Sequence, residues 1–115
     1  MENYDVLIVD DDTDINNMVS DALKKSGYTS MQAFSGTEGI FAVKMYKFKI
    51  IILDLMLPGM SGEEFIQKSR EIVKIPIIVM SAKNDIEGKV KCLEYGVINV
   101  FTEAGFSKQS IYDYA

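Results

Sequence analysis

Three short runs in this chain are apolar almost throughout: Val6, Leu7, Ile8 and Val9; Ile50, Ile51, Ile52 and Leu53; and residues 75–80, interrupted only by Pro76. A strand with one wet face alternates apolar and polar residues. Unbroken runs of four to six are the pattern of strands covered on both faces, as in a parallel sheet flanked by helices. Residues 28–33 and 97–102 are weaker strand candidates. Between the runs lie helical patterns. Ile15, Met18, Val19, Ala22 and Leu23 recur at the spacing of one helix face, and Gly27 stands where a C-terminal cap belongs. Ser35 with Glu38, and Ser61 with Glu64, match N-terminal capping boxes. Phe65, Ile66, Ser69, Ile72 and Val73 continue the second of these helices. Ile86, Val90 and Leu93 space out a fourth helix closed by Gly96, and residues 107–114 suit a short fifth. Strand and helix therefore alternate five times, which predicts a three-layer α/β sandwich around a five-stranded parallel sheet.

In doubly wound sheets of this kind the site lies beyond the carboxyl ends of the strands. Chemistry is thus expected just after Val9, Leu53 and Met80. Val9 is followed by Asp10, Asp11 and Asp12, Leu53 by Asp54, and Met80 by Ser81 and Ala82. A single aspartate at a strand end means little, because Asp favours turns and helix caps. Asp12, Thr13 or Asp14 can serve as such a cap, and Asp12 is equally open to either role. Acids from two central strands are a different matter. Carboxylates held together repel and raise each other's pKa, a cost that a bound cation relieves. Oxygen ligands with no soft donor nearby suit a hard ion, Mg²⁺ or Mn²⁺. A carboxylate beside such an ion can act as a nucleophile toward phosphorus, and Ser81 can donate to a phosphoryl oxygen. Taken alone, Ser81 is an ordinary strand-end hydroxyl.

Composition narrows the alternatives. The 115 residues and 48% apolar content suit one domain, residues 1–115, with a real core. Twelve Lys and Arg against 17 Asp and Glu leave a net charge of −5, so direct nucleic-acid binding is not expected. The chain has no histidine, which removes His-based general base catalysis. Its one cysteine, Cys92, allows no internal disulfide and fits a reducing compartment. The acidic N-terminus lacks signal-peptide character, and no apolar run nears the ~18 residues of a membrane helix. A cytoplasmic location off the membrane is the expectation.

The segments Val6-Leu-Ile-Val-Asp-Asp-Asp12, Ile52-Leu-Asp-Leu-Met-Leu-Pro-Gly-Met-Ser-Gly62 and Ile77-Ile-Val-Met-Ser-Ala-Lys83 closely resemble the CheY-like receiver domain of two-component response regulators. The resemblance runs from about residue 4 to residue 102. It implies a flavodoxin-like fold with Asp54 as phospho-acceptor. It implies Mg²⁺ held by Asp11 directly, by Asp10 mainly through water, by Asp54 and by the backbone carbonyl of Met56. Ser81 and the backbone N–H of Ala82 would bind the phosphoryl group, while Pro58 and Gly62 shape the loop after the acceptor. Lys83 is taken as a solvated loop residue. A sensor histidine kinase would be the phosphodonor partner, and the output would be a receiver homodimer or an effector domain, as in a transcriptional regulator.

The pattern breaks near the C-terminus. Receivers place a Lys and then a Pro at the end of the fifth strand, where this chain has Glu103 and Ala104. A charge pair ~4 Å apart is worth about 4 kcal/mol at an effective dielectric of ~20, so repulsion in place of attraction weakens phosphorylation or its read-out. Lys108 is a candidate substitute cation. Val100 stands where the switch aromatic belongs, with Phe101 one position later. The short tail points to a perturbed or truncated C-terminal end. Two further readings follow. One is a receiver-shaped interaction module that no longer switches, motivated by Glu103. The other is a Mg²⁺-dependent phosphohydrolase, disfavoured because Met56 occupies the place of its second acid. Beyond accepting and losing its own phosphoryl group, the chain is not expected to be an enzyme.

Overall fold

The computed structural model describes residues 3–55, 57–81 and 99–102, with residues 81 and 99–102 described through their backbone alone. The elements run β1 (Asn3–Val9), α1 (Thr13–Lys25), β2 (Ser30–Ala33), α2 (Gly36–Met45), β3 (Lys47–Asp54), α3 (Gly62–Arg70), β4 (Ile77–Ser81) and β5 (Asn99–Thr102). All strand pairs are parallel, in the order β2-β1-β3-β4-β5. The fourth and fifth helices expected from the sequence lie outside the described residues.

The apolar runs serve two cores at once. Val6, Ile8, Ile50, Ile52, Ile78 and Met80 point to one face, where Val19 and Leu23 of α1 cover them. Leu7, Val9, Ile51, Leu53, Ile77 and Val79 point to the other, packed with Ala42 and Val43 of α2 and Phe65 and Ile66 of α3. Every one of these strand residues is buried, so alternation of polarity would have stranded polar groups in one layer or the other. Each fully buried Val, Leu or Ile stabilises the fold by about 1.5–3 kcal/mol through removal from water.

Element ends follow from local hydrogen bonding. Helix α1 starts at Asp12, whose Oδ1 accepts from the Ile15 N–H at 3.1 Å. It stops in a Schellman turn: the Tyr28 N–H donates to the Leu23 carbonyl at 2.9 Å and the Gly27 N–H to Lys24 at 3.1 Å. Gly27 takes φ +87° there, which a side chain would strain. Strand β2 begins at Ser30 rather than residue 28, because the Tyr28 N–H is used by that turn and the Thr29 N–H by the Asp5 carboxylate at 2.9 Å. Similarly β4 begins at Ile77, since Pro76 has no N–H; its carbonyl still accepts from Ile51 at 3.0 Å. Ser35 caps α2, its Oγ accepting from the Glu38 N–H at 3.1 Å, and the Glu38 carboxylate accepts from the Phe34 N–H at 2.6 Å, one residue further back than a capping box requires. Ser61 caps α3 through the Glu64 N–H at 3.1 Å. That helix ends at Arg70, so Ile72 lies in the turn after it and Val73 beyond that turn instead of continuing the helix.

Candidate functional site

The order β2-β1-β3 places the reversal of winding between β1 and β3, and a crevice opens at the carboxyl ends of those two strands. Register fixes what stands there. Val9 pairs with Leu53, so Asp10 and Asp54 are the next residues on adjacent strands. Asp54 pairs with Met80, and the Leu55 N–H donates to the Met80 carbonyl at 3.0 Å, which carries the ladder one step beyond the acid. The backbone of Ser81 closes β4 at the same edge, paired with Thr102.

Asp10, Asp11 and Asp54 each offer a carboxylate oxygen, and the three oxygens lie within 4.8 Å of one another. Asp10 and Asp54 are buried and Asp11 is exposed. One Asp10 oxygen accepts from the Asp12 N–H at 2.9 Å; the other, Oδ2, is buried with no hydrogen-bond partner among the described residues. Burial pushes the Asp10 carboxyl up to about 7, against the Asp12 N–H that favours its charged form, and the neighbouring Asp54 and Asp11 carboxylates add to the rise. An orphaned buried oxygen among three acids fits a hard cation. Two oxygens on one Mg²⁺ at ~2.1 Å stand at most ~4.2 Å apart, a span close to that of the three carboxylates here.

Asp12 takes no part in this cluster. Its carboxylate caps α1 and its N–H orients Asp10, which decides between the two roles left open by the sequence. Gly62 shapes the loop by close approach and not by a left-handed φ; the left-handed residue in the loop is Gly59, at +79°. Gly62 is needed because a Cβ there would lie 2.7 Å from Leu55 Cα and 2.9 Å from Leu55 O. The Gly62 N–H donates to that carbonyl at 3.2 Å, pinning the loop against the strand that ends in Asp54. The Met56 carbonyl, the Ser81 side chain, Ala82, Lys83, Glu103, Ala104 and Lys108 fall outside what the structure describes.

Sequence reasoning missed Asn16. It is fully buried on α1, and its Nδ2 donates to the backbone carbonyls of Asp10 and Ala33, both at 3.0 Å. Two carbonyl acceptors can only be met by the amide nitrogen. Its Oδ1 is buried without a partner among the described residues. Two donations contribute roughly 0.5–1.5 kcal/mol each, and a stranded acceptor costs about 1–3 kcal/mol, so the net effect on stability is small. Its register with Val19 and Leu23, at i, i+3 and i+7, was the available signal: a polar residue on the buried stripe.

A family model for the response regulator receiver domain matches residues 6–108. The chain belongs to this family. Among curated relatives, it is 36% identical over 90 residues to the transcriptional regulatory protein YcbL of Bacillus subtilis, covering 78% of this chain and 40% of that protein. It is 37% identical over 99 residues to the cell cycle response regulator CtrA of Brucella ovis, covering 85% and 43% respectively. This receiver chain thus spans about two fifths of the length of those relatives. Among solved structures, the receiver domain of the Francisella response regulator 1452 superimposes with a TM-score of 0.87 at 26% identity, covering 97% of this chain and 93% of that one. The receiver family accounts for the parallel sheet with its flanking helices. No helix among the described residues is long and apolar enough to cross a membrane.

Proposed function

We infer that this receiver is a phosphorylation-gated switch with Asp54 as acceptor, Mg²⁺ or Mn²⁺ as cofactor and a sensor histidine kinase as donor. The observation that carries this reading is the convergence of Asp10, Asp11 and Asp54 within 4.8 Å at the edge between β1 and β3. Asp11 directly, Asp10 mainly through water, Asp54 and the backbone carbonyl of Met56 would hold the cation. A bound divalent ion neutralises charge on the entering phosphoryl group. An Asp54 carboxylate oxygen attacks phosphorus, the P–N bond of a phosphohistidine breaks, and the imidazole nitrogen keeps the electron pair. Ser81 and the Ala82 N–H then bind the phosphoryl oxygens, and the loop after β4 reorganises to change the surface read by a second receiver or an effector domain. Similarity to YcbL, named as a transcriptional regulatory protein, supports a role as the regulatory part of a cytoplasmic DNA-binding protein, with DNA contacts supplied by another domain.

Incubation with acetyl phosphate and Mg²⁺ tests the reading. Intact mass should rise by one phosphoryl group in the parent, and not in Asp54→Asn or in the presence of EDTA. Labelling of D54N at the parent rate would overturn the assignment. Glu103, in place of the family's Lys, favours a second reading: a module that binds its partner without switching. In that case the parent mass stays unchanged while partner binding persists, and Glu103→Lys restores labelling.

A further inference from the structure

We propose that Asn16 is a positioning residue for the acid cluster, setting the angle at which Asp11 meets Asp10 and Asp54. The Asp10 carbonyl belongs to the peptide plane that joins Asp10 to Asp11. The Asn16 amide holds that carbonyl at 3.0 Å and thereby fixes ψ of Asp10 and φ of Asp11. The same nitrogen holds the Ala33 carbonyl at 3.0 Å, and Ala33 also accepts from the Asp10 N–H at 3.1 Å. One side chain thus ties the last turn of β1, the end of β2 and the first turns of α1 together. β1 ends at Val9, so the Asp10 carbonyl has no strand partner to orient it. Asp10 is fixed by burial and by the Asp12 N–H. Asp11 is exposed and has no such packing, so its direction depends on the plane of the peptide before it. Asn16 keeps a buried, unpartnered Oδ1 in the core, which an apolar residue would not. What distinguishes the amide from leucine at this position is therefore the two directed donations.

The effect on cation binding rests on the metal site proposed above; the effect on the peptide plane does not. Asn16→Leu removes the donors and the stranded acceptor while keeping the branching of the side chain at a larger volume, Asn16→Ser is a smaller alternative should leucine fail to fold, and Leu23→Val perturbs the same helix without touching the cluster. Mg²⁺ is titrated into each by calorimetry at a temperature where urea curves show all of them folded. Asn16→Leu and Asn16→Ser should bind about tenfold more weakly than the parent, while Leu23→Val loses stability and keeps the parent affinity. Equal affinity in parent and Asn16 variants, or equal weakening in Leu23→Val, overturns the proposal. Amide residual dipolar couplings of Asp11, recorded without metal, give the independent readout: they should change in the Asn16 variants and not in Leu23→Val. If the parent itself binds no Mg²⁺, the metal reading fails and the couplings alone decide, unchanged values sinking the positioning role.

Discussion

Asp10 is a carboxyl buried at a strand end with one oxygen unpartnered, and its pH behaviour follows from that position. Its folded pKa, about 7, lies above the ordinary 3.8. Between those values the folded chain holds a proton that the unfolded chain releases. Its contribution to stability is therefore full near pH 4, falls as pH rises toward 7 and is lost above it. Asp10→Asn removes that loss. In EDTA at pH 8 the variant should be more stable than the parent by on the order of 2 kcal/mol, and the gap should close near pH 4. Urea denaturation at the two pH values measures it, and a variant less stable at pH 8 contradicts the account. Mg²⁺ should raise the parent's midpoint and leave D10N unmoved, because the ion takes the place of the proton. Gly62 makes a second prediction at this scale. Gly62→Ala forces a Cβ against Leu55 backbone atoms and should destabilise by about 1–3 kcal/mol, read as a lower urea midpoint.

At the scale of the element, α1 carries two unlike duties at its N-terminus. Asp12 ends the strand-to-helix turn as a cap, while Asn16 one turn on grips the backbone of the acid cluster. Asp12→Ala should cost about 1 kcal/mol in stability. Because the Asp12 N–H that orients Asp10 belongs to the backbone, Mg²⁺ affinity should change less than threefold; a loss as large as that of D10N would return Asp12 to the ligand set. At the other end Gly27→Ala should cost about 1 kcal/mol through its positive φ, although a Cβ there meets nothing within 4 Å. Contrast with Gly62 is informative: one glycine is held by conformation, the other by close approach. Helix α1 was legible from its apolar spacing, yet its buried face is rotated from the one the letters suggest. Met18 is 59% exposed, and Asn16 sits inside with Val19 and Leu23. A polar residue was passed over because hydropathy marks it as outward, and only the two carbonyls it meets explain its burial.

For the whole molecule, the sheet divides two cores that a single strand feeds on both sides. Ile51→Ala and Ile52→Ala point to opposite layers and should each cost about 2–5 kcal/mol. Both should leave one cooperative urea transition, since β3 is common to the two layers; a separate early transition in either variant would show that the layers unfold independently. The five strands and first three helices were readable because buried parallel strands, helix stripes and caps leave strong local patterns. Boundaries shifted where one hydrogen bond outweighed composition, as at Tyr28 and Pro76. In the site, Asp10, Asp11 and Asp54 were legible from their place after apolar runs.

The order of residues by itself determined the α/β alternation, both apolar faces of the strands and the acids at their carboxyl ends, because these depend on period and adjacency along the chain. Tertiary structure alone decided how near the carboxylates of Asp10, Asp11 and Asp54 come, that Asp12 is a cap, and that Asn16 is buried. Those facts depend on strand order and register, which bring Asp10 beside Asp54 and the Ala33 carbonyl beside α1, and no local pattern encodes a distance between residues so far apart in sequence.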